Sequence, residues 1–178
     1  MTPSHTDPQA FRFCPPCGGA LELRLVKAAE PPRLVCGACG FVLYLDPKVA
    51  VGTIIRDDAG RILLVRRAIE PGYGKWVFPG GYMDRGEDVR EAAIREAREE
   101  SGVHVRIDAL LDVYSYRGRA PVVIVFEATA LEGDLACDDE GLEARFFDET
   151  QIPWDELAFD STLEALERYL ATRSSRPG

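Results

Sequence analysis

Between Gly81 and Val103 the chain reads GYMDRGEDVREAAIREAREESGV, and this stretch restricts the fold more than any other. Asp88 has the short acceptor side chain of a helix N-cap, and Glu91, three residues on, completes a capping box. Gly102 supplies a stop, so a helix is expected up to Ser101. With Val89 set to zero on a wheel of ~100° per residue, Ala92, Ala93 and Ala97 fall at about −60°, +40° and +80°. These small apolar residues mark the inward stripe. Glu96, Glu99 and Glu100 fall at about −20°, −80° and +20°, on that same stripe, while Glu91 and Arg98 take the outer face.

Three acids on an inward face conflict with local physics twice over. They sit in the last turns of the helix, where the macrodipole disfavours negative charge. Close together, they also raise one another's pKa. A hard divalent cation with oxygen ligands, Mg²⁺ or Mn²⁺, removes both conflicts. The alternative is a solvated acidic helix end, which the wheel opposes. Glu87 and Arg95 fit an ion pair that ties the preceding loop to the helix.

A second constraint comes from Cys14-Pro-Pro-Cys17-Gly18 and Cys36-Gly-Ala-Cys39-Gly40, one pattern written twice with 18 residues between the pairs. Each pair can bend into a turn that aims backbone N–H groups at sulfur, and two such turns offer four thiolates to a structural Zn²⁺. The surrounding segment of about 35 residues has few large apolar side chains, so its folding would depend on the metal. Two disulfides or four unrelated thiols are the alternative, and nothing in the chain points to an oxidising compartment. Cys137 is the odd thiol.

The rest of the chain alternates strand and turn signals. Val49 to Arg56 and Arg61 to Arg67 read as strands joined at Asp57–Gly60, and a glycine- and aromatic-rich loop runs from Pro71 to Met83. Further strands are expected at Val103–Tyr116, Val122–Ala130 and Glu143–Phe147. A last helix starts near Ser161, with Glu164 as its capping partner and Leu163, Leu166, Tyr169 and Leu170 as its apolar stripe. The division is therefore residues 1–10 as a flexible N-terminus, 11–46 as a zinc ribbon, 47–172 as the main domain and 173–178 as a flexible tail. No apolar run approaches the ~20 residues a spanning helix needs. With no secretory signal in residues 1–10, a cytoplasmic protein is expected.

Charge narrows the partners. The formal net charge is −9. From Phe11 to Lys48, five basic residues face three acidic ones, a local +2; residues 1–10 add −1, which leaves −10 on the remainder. A chain this acidic meets an anionic ligand only through something cationic, again a divalent metal. A ribbon at +2 is sparse for nucleic acid, so RNA is the less favoured partner.

The 81–103 stretch resembles the Nudix box, G-x5-E-x7-R-E-U-x-E-E-x-G-U with U apolar, filled here by Gly81, Glu87, Arg95, Glu96, Ala97, Glu99, Glu100, Gly102 and Val103. The resemblance implies an α/β fold, a Nudix α/β/α sandwich around a mixed sheet, preceded here by the ribbon. It implies that Glu96, Glu99 and Glu100, with the carbonyl of Gly80, hold Mg²⁺ or Mn²⁺. A later acid often assists as base or ligand, with Glu143 the first candidate and Glu140 the second. The ribbon, the VAVGTII strand and Ile152–Phe159 are similar to zinc-ribbon Nudix proteins that hydrolyse FAD or ADP-ribose. The SQPWPFPxS stretch of NADH pyrophosphatases is absent, which ranks NADH lower. The family also suggests a homodimer.

The chemistry so implied is hydrolysis of the pyrophosphate in a nucleoside diphosphate linked to a further group. A metal neutralises the phosphates and lowers the pKa of water, and Glu96 or Glu143 takes the proton. Arg66, Arg67, Lys75, Arg117 and Arg119 are candidates for holding the diphosphate. Trp76, Phe78, Tyr82, Tyr114 and Tyr116 are candidates for stacking on a base, although Trp76 and Phe78 read equally well as core. Two rival classes are a nucleotide-binding regulator without catalysis, which has no need of all three glutamates, and a hydrolase of capped RNA 5′ ends.

Overall fold

A computed structural model of the chain describes residues 10–119 and 121–174. It contains two compact units that meet between Pro47 and Lys48. In the first, β1 (Leu21–Arg24), β2 (Arg33–Cys36) and β3 (Val42–Leu43) form a three-stranded antiparallel sheet. Its buried hydrophobic side chains are few, namely Cys14, Leu34 and Cys36.

The second unit carries β4 (Lys48–Arg56), β5 (Ile62–Arg67), β6 (Trp76–Val77), α1 (Val89–Ser101), β7 (Val105–Ser115), β8 (Pro121–Ala130), β9 (Gly141–Phe147) and α2 (Asp160–Ser174). The strand order is β6-β5-β4-β8-β7, with β9 on β5. β4 and β8 run parallel along their whole length, whereas β5, β7 and β9 pair antiparallel, so the sheet is mixed. β4 and β5 touch only at Arg56 and Ile62 before they diverge. The gap is filled on one side by β6, which pairs with β5, and on the other by residues 79–83, which run along β4.

Strand alternation sends the apolar side chains to two faces. Ile54, Leu64, Trp76, Leu111, Tyr114 and Val125 pack with Ala165, Leu166 and Tyr169 of α2. Val51, Ile55, Leu63, Phe126 and Ala128 pack with Ala92, Ala93 and Ala97 of α1. The result is the expected α/β/α sandwich.

The helix boundaries of α1 follow from its caps. The Asp88 carboxylate accepts from the N–H groups of Arg90 and Glu91, and Gly102 closes the helix in the left-handed region. Glu91 is exposed, and the N-cap bonds found are those of Asp88. The expected tail needs correcting: α2 runs on to Ser174, and Arg173 lies over the Tyr169 ring and pairs with Glu149. The expected flexible N-terminus and the end of the tail lie outside the described residues, save Ala10. Among the described residues no helix is long and apolar enough to cross a membrane.

Candidate active site and metal centre

The four expected zinc ligands come together. Cys14, Cys17, Cys36 and Cys39 place their sulfurs within 4.8 Å of one another, and the shorter separations are 3.3 Å, 3.5 Å and 3.6 Å. A tetrahedron with metal–sulfur bonds of ~2.3 Å has edges of about 3.8 Å, so the cluster is close to the size Zn²⁺ requires. Gly18 and Gly40 follow the second cysteine of each pair with φ of 72° and 74°. That left-handed turn is the one glycine permits without strain. It brings the N–H groups of Cys39 and Ala38 onto the Cys36 sulfur, which lowers that thiol to about 6. Cys14, buried, is instead pushed up to about 12 in the absence of metal.

In the larger unit the site is built where residues 79–83 pass between β4 and α1. The carbonyls of Pro79 and Gly81 accept from Thr53 and Val51 of β4. In an extended segment alternate residues point to opposite edges, so Gly80 turns both its N–H and its C=O away from β4. The N–H meets Oε2 of Glu100 at 2.9 Å. Among the described residues no donor reaches the Gly80 carbonyl, which leaves that oxygen free on the side of the carboxylates. A Cβ at Gly81 would stand 2.5 Å from the Glu96 carboxylate, so any larger residue here would displace that side chain.

Glu100 is 7% exposed. Burial pushes its pKa up to about 8, against the Gly80 N–H, which lowers it; Glu96 and Asp138 add repulsion and Arg67 opposes them. Glu96 is also raised, first by burial and, among its neighbouring charges, by Glu99 and Glu140. Glu99 is more open. Arg95 ties the group together: its guanidinium donates to Glu87 at 2.8 Å and 3.0 Å, to Glu96 at 2.8 Å and to Glu99 at 2.8 Å. Glu87 is thereby held down at about 2, chiefly by its hydrogen bonds with Arg95. These donors are all oxygen and partly desolvated, which suits a hard divalent cation, although among the described residues only the four cysteines already converge within 4.8 Å of one another.

The acid outside α1 changes identity. Cross-strand partners share a face, and Glu143 lies opposite Arg66, in turn opposite Trp76 of the α2-facing core. Glu143 therefore points to the face away from α1, 3.7 Å from Arg145 on its own strand. The reading of Glu143 as base or ligand is corrected on this ground. Glu140, the second candidate, sits in the turn before β9 and acts electrostatically on Glu96. Asp138, in the same turn, acts on Glu100 and was not anticipated. A run of acids in a loop has no periodicity to betray it.

Several ligand candidates prove to be structural. Trp76 (4% exposed), Phe78 (4%) and Tyr114 (7%) are core residues, closed off from any base. Tyr116 is half-buried, packs on that core and carries Arg119 on its ring, while Arg119 also pairs with Asp160. Arg117 lies exposed in the turn after β7. Arg66 donates to the Gly74 carbonyl and so pins the loop before β6. Lys75 is exposed beside it. Arg67 donates to Pro71, lies over the Phe159 ring and is a cation felt at Glu100. Tyr82 is exposed at the edge of the site, its carbonyl bonded to Arg95.

The profile of the NUDIX domain matches residues 46–168 and that of the Nudix N-terminal zinc ribbon residues 12–45. The chain belongs to the NUDIX family. An ADP-ribose pyrophosphatase of Methanocaldococcus jannaschii is 43% identical over 122 residues, 66% of this chain and 70% of that protein. The NAD-capped RNA hydrolase NudC of Stutzerimonas stutzeri is 28% identical over 167 residues, 93% of this chain and 58% of the relative. A crystal structure of a NUDIX hydrolase from Nitrosomonas europaea superposes with a TM-score of 0.88 at 38% identity, covering 93% of each chain. The chain is thus a Nudix pyrophosphohydrolase with a zinc ribbon. Nudix enzymes use a divalent metal, and Glu96, Glu100 and the Gly80 carbonyl supply donors suited to one.

Proposed function

We infer that this Nudix hydrolase uses Mg²⁺ or Mn²⁺ to cleave the pyrophosphate of a nucleoside diphosphate linked to a second group, with ADP-ribose or FAD as substrate. The observation that carries the reading is the half-buried Glu96 and the buried Glu100 beneath Gly80, two carboxylates raised by desolvation and mutual repulsion that a divalent cation would relieve. The similarity to an ADP-ribose pyrophosphatase supports the choice of ADP-ribose. Glu96, Glu99, Glu100 and the Gly80 carbonyl would hold the metal, which when bound neutralises the phosphates and acidifies the attacking water.

The remaining work falls to the chain. Arg67, fixed by Pro71 and Phe159, offers its outer N–H groups to a phosphate oxygen. Arg95 keeps Glu96 and Glu99 in place. Glu140, exposed and close enough to act on Glu96, takes the proton from water as general base. The products are AMP and ribose 5-phosphate from ADP-ribose, or AMP and FMN from FAD.

The second reading, a hydrolase of NADH or of capped RNA ends, draws on the likeness to NudC, which extends over ribbon and domain alike. A Mg²⁺-dependent panel of ADP-ribose, FAD, NADH, diadenosine polyphosphates and dNTPs, compared by kcat/KM, separates the two. ADP-ribose or FAD should lead. A clear preference for NADH or capped RNA would replace the first reading with the second.

A further inference from the structure

The sequence offers five aromatic side chains near the site, and the fold withdraws three of them into the core. Of the other two, Tyr82 stays 51% exposed. It follows directly after Gly81, where a Cβ would meet the Glu96 carboxylate, and successive Cα atoms are about 3.8 Å apart. Its ring is therefore beside the diphosphate position but not in it.

The register says which way the ring points. Tyr82 is bridged to Ala50 on β4, and cross-strand partners share a face. Val51 belongs to the α1 side, so Ala50 and its neighbours two residues away, Lys48 and Gly52, belong to the other. The Phe78 ring covers Gly52 so closely that no Cβ would fit there. Ala50 presents only a methyl group, and Val123, its partner on β8, is half-buried beside it. Lys48 completes the row, with its ammonium 4.8 Å from the centre of the Tyr82 ring. Among the described residues Lys48 has no carboxylate partner, so its charge stays available beside the ring.

We propose that Tyr82, backed by Lys48 and floored by Ala50 and Val123, is the platform on which the nucleobase of the substrate stacks. The inference rests on the hydrolase reading above. The diphosphate lies at Glu96 and Glu100 on the α1 side. The nucleoside then passes the Gly80–Gly81 edge, which β5 has vacated, to reach the opposite face. A planar base suits the place because stacking needs an open aromatic face, and the lysine adds a cation next to the π system. The subsite is tolerant of base identity, since it supplies a flat surface and no hydrogen-bonding pattern.

Equilibrium binding tests this without turnover. Titration calorimetry with AMP, GMP, CMP, UMP and inorganic pyrophosphate, in Mg²⁺, would compare wild type, Tyr82→Ala, Tyr82→Phe and Lys48→Gln. Stacking contacts of ~1–3 kcal/mol correspond to losses of roughly 5- to 150-fold. Tyr82→Ala should weaken the nucleoside monophosphates by about tenfold or more and leave pyrophosphate within about twofold. Tyr82→Phe should bind like wild type, and Lys48→Gln should show a smaller loss of nucleotide only. Unchanged nucleotide affinity in Tyr82→Ala would overturn the subsite. An equal loss of pyrophosphate, or a wild type that binds no nucleoside monophosphate, would do the same. A wild type that binds AMP through Tyr82 yet hydrolyses none of the panel would instead sink the hydrolase reading and leave the subsite standing.

Discussion

The two units of this chain each carry groups suited to a metal, and they hold them in opposite ways. The ribbon buries few hydrophobic side chains, and two of those are themselves cysteines of the cluster. Its sheet has little else to hold it, so the metal acts as the core. The larger unit has three apolar clusters and holds its glutamates from outside, through Arg95 and the caps of α1. There the fold has a core of its own, and the proposed divalent cation would be a reagent. A site meant to exchange substrate must exist before its cation arrives, whereas a site meant to hold a fold need not.

Removing zinc is the most severe test of that contrast. Structural Zn²⁺ contributes on the order of 10–16 kcal/mol in small zinc domains, so chelation or Cys36→Ser should unfold the ribbon entirely. Amide signals of residues 12–45 should collapse while those of α1 and its sheet persist. A concerted loss of both would break the comparison. Next in size, Glu140→Gln should lower kcat by roughly 10²-fold with KM little changed, as expected on losing a general base. Glu143→Gln should stay within about twofold of wild type, because its carboxylate faces away from α1. The reverse ranking would restore Glu143.

A gentler test uses pH. Glu87 titrates near 2 in the folded protein against an ordinary value of 4.5. A depressed carboxylate contributes stability above its unfolded pKa and loses it as pH falls through the folded one. Melting temperature should therefore drop between about pH 4.5 and 2, and Glu87→Gln should remove part of that slope. An identical slope in the variant would mean that the Arg95 pair does not hold the loop. The smallest effect is at the cap: Asp88→Ala should cost about 1 kcal/mol in chemical denaturation and leave the metal site intact. A loss of zinc or of activity larger than this would link the cap to function.

How much of this could be read from the chain depended on whether the signal was local. Helix α1 was legible to the residue, because its signals are local: Asp88 and Gly102 cap its two ends and the alanine stripe lies between them. The cysteine cluster was legible for the same reason: spacing and glycines are local. The face a strand residue takes was not. Glu143 takes its face from how β9 registers with β5, a register that shifts at Arg66 and Arg67, whereas Glu140 sits in the turn before the strand. Trp76 and Tyr114 carry polar atoms suited to a ligand site, yet α2 closes over their side of the sheet. Asp138 and Arg67 reach Glu100 only because a turn and a strand end meet there.

The central claim is that Glu96, Glu99 and Glu100 on α1 make a divalent metal the reagent of this fold. Its most direct test is Mg²⁺-dependent hydrolysis of ADP-ribose by wild type and Glu100→Gln, with folding of both checked by circular dichroism. The account predicts a loss of kcat/KM of at least about 10²-fold, an intact fold and a weaker response to added Mg²⁺ in the variant. Turnover and Mg²⁺ dependence equal to wild type would contradict it.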